Sequence, residues 1–171
     1  LAKLNGHLNS IKMFLPRSIL FDNTQLIHLL LLIQHALEES GFNPRVESWA
    51  NAIGLSQLLL STAKDVARTL PGVTATRKTL RDPKTNLRIG AHFLGGLLRR
   101  FKHPALAVAG YNAGAGAVSR WLKASPRLAM DELVEAIPYD QTRGYTKRVL
   151  QSWGRYHFLY AGGARIKLPR R

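Results

Sequence analysis

The 171-residue chain contains no cysteine. Disulfides and thiolate metal sites are therefore excluded, and the redox compartment cannot be read. Acidic residues are scarce: 10 Asp and Glu stand against 25 Lys and Arg, for a formal net charge of +15. That excess implies polyanionic surroundings, whether nucleic acid, anionic lipid or an anionic wall polymer, and does not choose among them. Long apolar runs are missing too. The run from Leu26 to Leu37 is too short to span a bilayer and is interrupted by His28, Gln34 and His35. The chain shows no convincing period-2 alternation, no internal repeat and no low-complexity block. It begins at Leu1 rather than Met, as a processed or excised piece would, so a missing targeting signal excludes nothing.

A hydrophobic content of 46% over this length suits one domain with a single sizeable core. Residues 1–20 read as an N-terminal segment, either the tail of a preceding domain or a short packing helix. Residues 21–160 form the main domain, and 161–171 a basic tail. Asp22, Asn23 or Thr24 caps a central helix that runs to about Glu39. Residues 41–53 read as an irregular loop. Gly54-Leu55-Ser56-Gln57 opens a second helix, carried to Leu70 by apolar residues at helical spacing. Residues 72–82 read as an exposed basic loop. A third helix starts near Pro83, with Leu87, Ala91, Leu94, Leu97, Leu98 and Phe101 facing inward and Arg88, Arg99, Arg100 and Lys102 facing water. A small-residue buried helix spans Ala105 to Asn112, and short helices span Ala117 to Leu122 and residues 131–137. A last helix runs from Asp140 or Thr142 to about Leu159. The expected fold class is all-α. Trp49, Trp121 and Trp153 are candidate sugar-stacking platforms, with core packing the better default.

Two carboxylates, Glu38 and Glu39, close the central helix just before Ser40, Gly41 and Pro44 stop it. Burial and the negative end of the helix dipole both favour the protonated acid, which is what general-acid chemistry needs. Neighbours on a helix are about 100 degrees apart, so one of the pair can face inward and the other face water. From position alone, two solvated helix-end residues are an equal alternative.

The blocks around this pair make a specific pattern. Glu39-Ser40-Gly41-Phe42-Asn43-Pro44 is followed by Ser48, Gly54-Leu55-Ser56-Gln57 and Thr62-Ala63. Ala107-Val108-Ala109-Gly110-Tyr111-Asn112-Ala113-Gly114 comes next, then Val118-Ser119-Arg120-Trp121. Glu135-Ala136-Ile137-Pro138, Thr142-Arg143-Gly144-Tyr145 and Val149-Leu150 complete it. Across roughly residues 30–155 the chain resembles the catalytic domain of the soluble lytic transglycosylases, peptidoglycan-cleaving enzymes with a lysozyme-like, goose-type helical fold and a substrate cleft. The resemblance implies that Glu39 is the single catalytic acid/base. It implies substrate-binding positions at Ser40, Ser48, Ser56, Gln57, Tyr111, Asn112, Gln141 and Tyr145. Alone, Tyr111 among small residues would read as core.

The chain also departs from the family pattern. Ser56 stands where the family usually has Met, Asn51 where it has Gly, Leu60 where it has Pro, and Gln141 in place of the Glu of Glu-Thr-Arg. Gln141 and Ser56 bear on sugar binding; none of these changes touches the proposed acid.

Most glycoside hydrolases need two carboxylates, about 5 Å apart when retaining and about 6.5–9.5 Å apart when inverting. The matched blocks supply one, so the resemblance implies substrate-assisted cleavage between N-acetylmuramic acid and N-acetylglucosamine with closure to a 1,6-anhydro product. The alternatives are a muramidase of the same fold that adds water, and a non-catalytic cationic module binding wall polymer or nucleic acid. His7, His28, His35, His92, His103 and His157 show no zinc-ligand spacing, and neither metal nor cofactor is expected. The basic runs lack interleaved aromatics, so no specific nucleic-acid partner is expected. The implied partners are peptidoglycan strands and anionic envelope polymers. The implied setting is the cell envelope, periplasmic or secreted, with the chain acting as a monomer without a transmembrane segment.

Overall fold

The structure, a computed structural model, describes residues 43–160. The expectations for Glu38, Glu39, Ser40, the helix before them, His7, His28, His35, residues 1–20 and the tail 161–171 lie outside the described residues. The chain is mainly α-helical and divides into two compact units, Leu1–Phe93 and Leu94–Arg171.

The mainly helical expectation holds, and the first unit also carries one short two-stranded ribbon among its described residues. Strand β1 (Ala52–Ile53) pairs antiparallel with β2 (Leu58–Leu59), Ala52 opposite Leu59 and Ile53 opposite Leu58. The expected helix does not open at Gly54. Gly54 has φ +74° and Gln57 φ +42°, left-handed values that a right-handed helix cannot contain. Residues 54–57 are therefore a turn, and helix α1 (Leu60–Ala67) begins only after β2. Trp49 also departs from expectation. It is 94% exposed, not core. The Asn51 N–H donates to Ser48 O at 2.9 Å, so Trp49 rides at the tip of a tight turn that carries it outward.

Residues 72–82 are not simply a loop. They include α2 (Arg77–Leu80), capped by Thr76, whose Oγ1 accepts the Thr79 N–H at 3.0 Å while Thr79 Oγ1 accepts the Thr76 N–H at 2.9 Å. Ala75 and Leu80 are buried beneath the exposed Arg77, Lys78 and Arg81, and that cationic cover hid a short helix in the sequence. Helix α3 (Pro83–Phe101) starts where expected. Pro83 takes the first helical position, and Asp82 Oδ2 accepts both the Thr85 N–H at 2.8 Å and the Thr85 hydroxyl at 2.6 Å. Those two bonds, the hydroxyl's first, hold the Asp82 carboxyl below its usual range. Leu87, Leu94 and Leu97 are buried and Arg88, Arg99, Arg100 and Lys102 exposed, as the 3.6-residue period requires.

The second unit is built on α4 (Pro104–Ala113), buried from Pro104 through Gly110. His103 caps it, Nδ1 accepting the Ala105 N–H at 3.1 Å, which leaves the ring proton on Nε2. At Gly110 a Cβ would lie 3.1 Å from Phe101 and 3.3 Å from Leu97, so the missing side chain is what lets α4 approach the end of α3. Helix α4 packs against α5 (Ala115–Ala124) and α7 (Asp140–Tyr160). With the short α6 (Met130–Glu135) they bury Leu106, Ala109, Val118, Leu133 and Ile137. Trp121 packs on this cluster and meets Tyr139 edge-on, ring centroids 5.3 Å apart, and Trp153 is buried, as expected for both tryptophans. Among the described residues no helix is long and apolar enough to cross a membrane.

The cap at Asp82 gives the first test. Asp82→Ala removes the acceptor for the first turn of α3 and should cost about 1 kcal/mol. Urea unfolding should show a lower midpoint with an unchanged slope.

Candidate active site

Among the described residues of the first unit, the candidates Ser48, Ser56 and Gln57 lie on one hairpin and its turns. Ser48 shapes its outer turn: its Oγ accepts the Ala52 N–H at 3.1 Å, and its own N–H donates to Ala52 O at 2.9 Å. Ser56 is fully buried, so it lies beneath the second turn and not on its surface. Gln57 ends that turn and is half-buried. Its Nε2 donates to Gly54 O at 2.8 Å and to Val46 O at 3.4 Å. Two carbonyl partners fix the amide orientation and commit both N–H groups, so Oε1 is the atom left to accept from a ligand.

The hairpin is clamped from outside by Glu47, whose isolated bridge to Ile53 extends the ribbon. Glu47 Oε1 accepts from Arg77, and Oε2 from Arg81 Nη2 at 3.0 Å. Arg77 also donates to Asn51 Oδ1 at 3.3 Å. The Arg77 hydrogen bond holds the Glu47 carboxyl below its usual value of 4.5, opposed by burial and helped further by Arg81. Two cations of the 77–81 run are thus engaged in fastening α2 to the turn, a role their exposure in the sequence did not suggest.

In the second unit Tyr111 and Asn112 lie where α4 emerges from its buried stretch, and both are half-buried. Gly114, with φ +84°, ends α4 and begins α5. Thr142, 3% exposed, donates its hydroxyl to Asn112 Oδ1 at 2.7 Å. Thr146 Oγ1 in turn donates to Thr142 O at 2.7 Å. The Asn112 amide is thereby oriented, with Nδ2 left to donate. Gln141, beside Thr142, is exposed, and Tyr145 is a core position at 3% exposure. In the first unit Gln57 offers an acceptor, and in the second, taken by itself, Asn112 offers a donor, each held by protein bonds. A groove of about 1520 Å³ in this unit, lined by His103, Ala105, Leu128, Met130, Val134 and Leu150 among others, includes none of the described candidate residues. Among the described residues no group of His, Asp and Glu is placed to hold a metal ion.

The model of the Transglycosylase SLT domain family matches residues 23–134. The chain belongs to this family. It is 36% identical over 131 residues to the soluble lytic murein transglycosylase of Escherichia coli K12, covering 74% of this chain and 20% of that protein. Two solved structures are similar in fold. The 70-kDa soluble lytic transglycosylase of Escherichia coli matches with a TM-score of 0.73 and 35% identity, over 77% of this chain and 22% of that one. An inactive Glu-to-Gln mutant of lytic transglycosylase Slt from Pseudomonas aeruginosa matches with a TM-score of 0.73 and 34% identity, over 81% and 22%. The chain spans about a fifth of the length of these relatives.

Within this SLT domain two departures from the family pattern have a geometric reason. Asn51 stands at φ +61°, a left-handed position where Asn is the best substitute for Gly. Leu60 is the first residue of α1, where the family's Pro meets no cost and Leu forms the same turn. Sequence reasoning missed Glu47 and Thr142 as supports of the candidate residues. The partners of Glu47 lie 30 and 34 residues away, and Asn112 lies 30 residues from Thr142, separations that no local pattern displays.

The Glu47 clamp carries a sign that can be measured. Its depressed folded value means the stabilisation is fully present above the unfolded value near about 4.5 and is lost as pH falls through the folded value. Urea midpoints of wild type and Glu47→Gln, compared from about pH 7 to about pH 3, should differ most at neutral pH and converge in acid.

Proposed function

We propose that the chain is the catalytic domain, residues 21–160, of a peptidoglycan lytic transglycosylase of the cell envelope, with Glu39 as its only proton-transfer residue. The observation that carries this reading is 36% identity, across three-quarters of the chain, to a soluble lytic murein transglycosylase. Glu39 falls on the family's acid position. One solved relative is an inactive Glu-to-Gln mutant, the behaviour expected where a Glu carboxyl takes part in the reaction.

In the proposed reaction the Glu39 carboxyl protonates the glycosidic oxygen between N-acetylmuramic acid and N-acetylglucosamine. The C1–O bond breaks, and the substrate's own N-acetyl group stabilises the cationic C1. The Glu39 carboxylate then takes the proton from the muramoyl 6-hydroxyl as that oxygen bonds to C1. The acid is regenerated, the product is a 1,6-anhydro sugar, and no water is consumed. Gln57 Oε1 and Asn112 Nδ2 would bind hydroxyl or acetamido groups of the glycan, with Ser40, Tyr111 and Gln141 as further contacts. Ser48, Ser56 and Tyr145 would shape these positions from behind. The basic exterior would draw the domain to anionic envelope polymers.

Mass spectrometry of products from purified peptidoglycan tests the reaction: anhydro products are one water lighter than those of a muramidase. Glu39→Gln should abolish them, a loss at or beyond the upper end of the roughly 100- to 10,000-fold range for general acid–base groups, since both proton transfers use one residue. Added salt should weaken binding to intact wall more than it slows cleavage of a small neutral oligosaccharide, because screening acts on long-range attraction. Equal loss with both substrates would remove the role given to the charge.

A further inference from the structure

Asn86 is fully buried on the first turns of α3, and no motif in the sequence singles it out. We propose that Asn86 is a positioning residue that sets Gln57 for glycan binding, an inference that rests on the reading of Gln57 given above. Its side-chain amide touches both ends of the 54–57 turn. Nδ2 donates to Ile53 O at 2.9 Å, on the near side of Gly54. Oδ1 accepts the Ser56 N–H at 2.7 Å, just before Gln57. The second Nδ2 hydrogen goes to Leu80 O at 2.9 Å, which ties the turn to the end of α2. One amide therefore satisfies three buried backbone groups that the turn and the helix end leave without partners in regular structure.

The seating is close. A Cβ on Gly54 would lie 2.5 Å from Asn86 Nδ2 and 2.5 Å from Leu80 O, so the turn rests directly on the amide. Gln57 follows this fixed peptide at a left-handed φ, and its Nε2 is anchored on Gly54 O. Displacing the Gly54 peptide moves the anchor of Gln57 and redirects Oε1. No other side chain of this length serves. Asp lacks the two donors and would place a charge against two carbonyl oxygens. Leu leaves three buried backbone groups unmet. Gln is one methylene longer than the space.

Because Asn86 acts through Gln57, its loss should fall on binding and not on proton transfer. The test is a double-mutant cycle on the full chain with Asn86→Ser, Gln57→Ala and the double variant. Its readout is KM and kcat for release of anhydro products from soluble glycan strands, with thermal melts as a check on folding. Asn86→Ser should raise KM about 10-fold, the size of a lost well-placed hydrogen bond. It should leave kcat nearly unchanged, and in the Gln57→Ala background it should add less than about 2-fold. An effect that multiplies in full in both backgrounds, or a loss in kcat that follows the folded fraction, would overturn the proposal. If Gln57→Ala itself leaves KM unchanged, the glycan-binding role of Gln57 is what fails. If Asn86→Ser does not fold, Asn86→Thr and Asn86→Ala, which bring neither a charge nor extra length, carry the same comparison. Failure of every Asn86 variant to fold would make the residue a general structural one and end the proposal.

Discussion

A tight turn with a buried underside must find partners for peptide groups that neither a helix nor a sheet will take, and the first unit depends on how that demand is met. Residues 54–57 combine two left-handed conformations with a fully buried Ser56. Such a backbone survives only where the surroundings over-determine it. Here they do so from two sides. Asn86 bonds from below, and the Gln57 side chain folds back onto Gly54 O and Val46 O. The β1–β2 ribbon, the start of α1 and the end of α2 all take their places from this turn, because each is joined to it within a residue or two or through the same amide.

The second unit solves a different problem. Helix α4 is buried almost all round, so it has no wet face on which to place polar groups until its last turn. Its polar chemistry is concentrated there, at Tyr111 and Asn112, where Gly114 also frees the backbone to reverse. Thr142, itself buried, gives its hydroxyl to Asn112 and receives at its carbonyl the hydroxyl of Thr146. A buried hydroxyl whose proton is engaged is a stable support, whereas one left unmet would be a cost.

Helices longer than two turns were legible in the sequence because their apolar residues recur at helical spacing, as in α3, where Leu87, Leu94 and Leu97 are all buried. The ribbon was not, since two residues per strand cannot display alternation. The start of α1 was misplaced because Leu55, Leu58 and Leu59 extend its apolar spacing backwards, and nothing in composition reveals a positive φ at Gln57. Trp49 was misjudged because an apolar side chain at a turn tip looks like any other until the turn is known. At the candidate site, Gln57, Tyr111 and Asn112 were found through blocks of neighbouring residues. Their supports, Asn86, Glu47 and Thr142, were not, because each acts on a partner about 30 residues distant.

Gly114 closes α4 and opens α5 with no residue to spare between them. The junction therefore has no slack with which to absorb a change in chain length. One residue inserted between Gly110 and Asn112 would turn the Asn112 side chain by about 100 degrees around the α4 axis, away from Thr142. One inserted after Asn112 would turn α5 instead, and with it the Val118 face that closes the hydrophobic cluster. Substitutions in this segment act on single contacts, but insertions and deletions act on the phase of two helices at once. The spacing of the segment is thus more tightly bound than the identity of most of its residues.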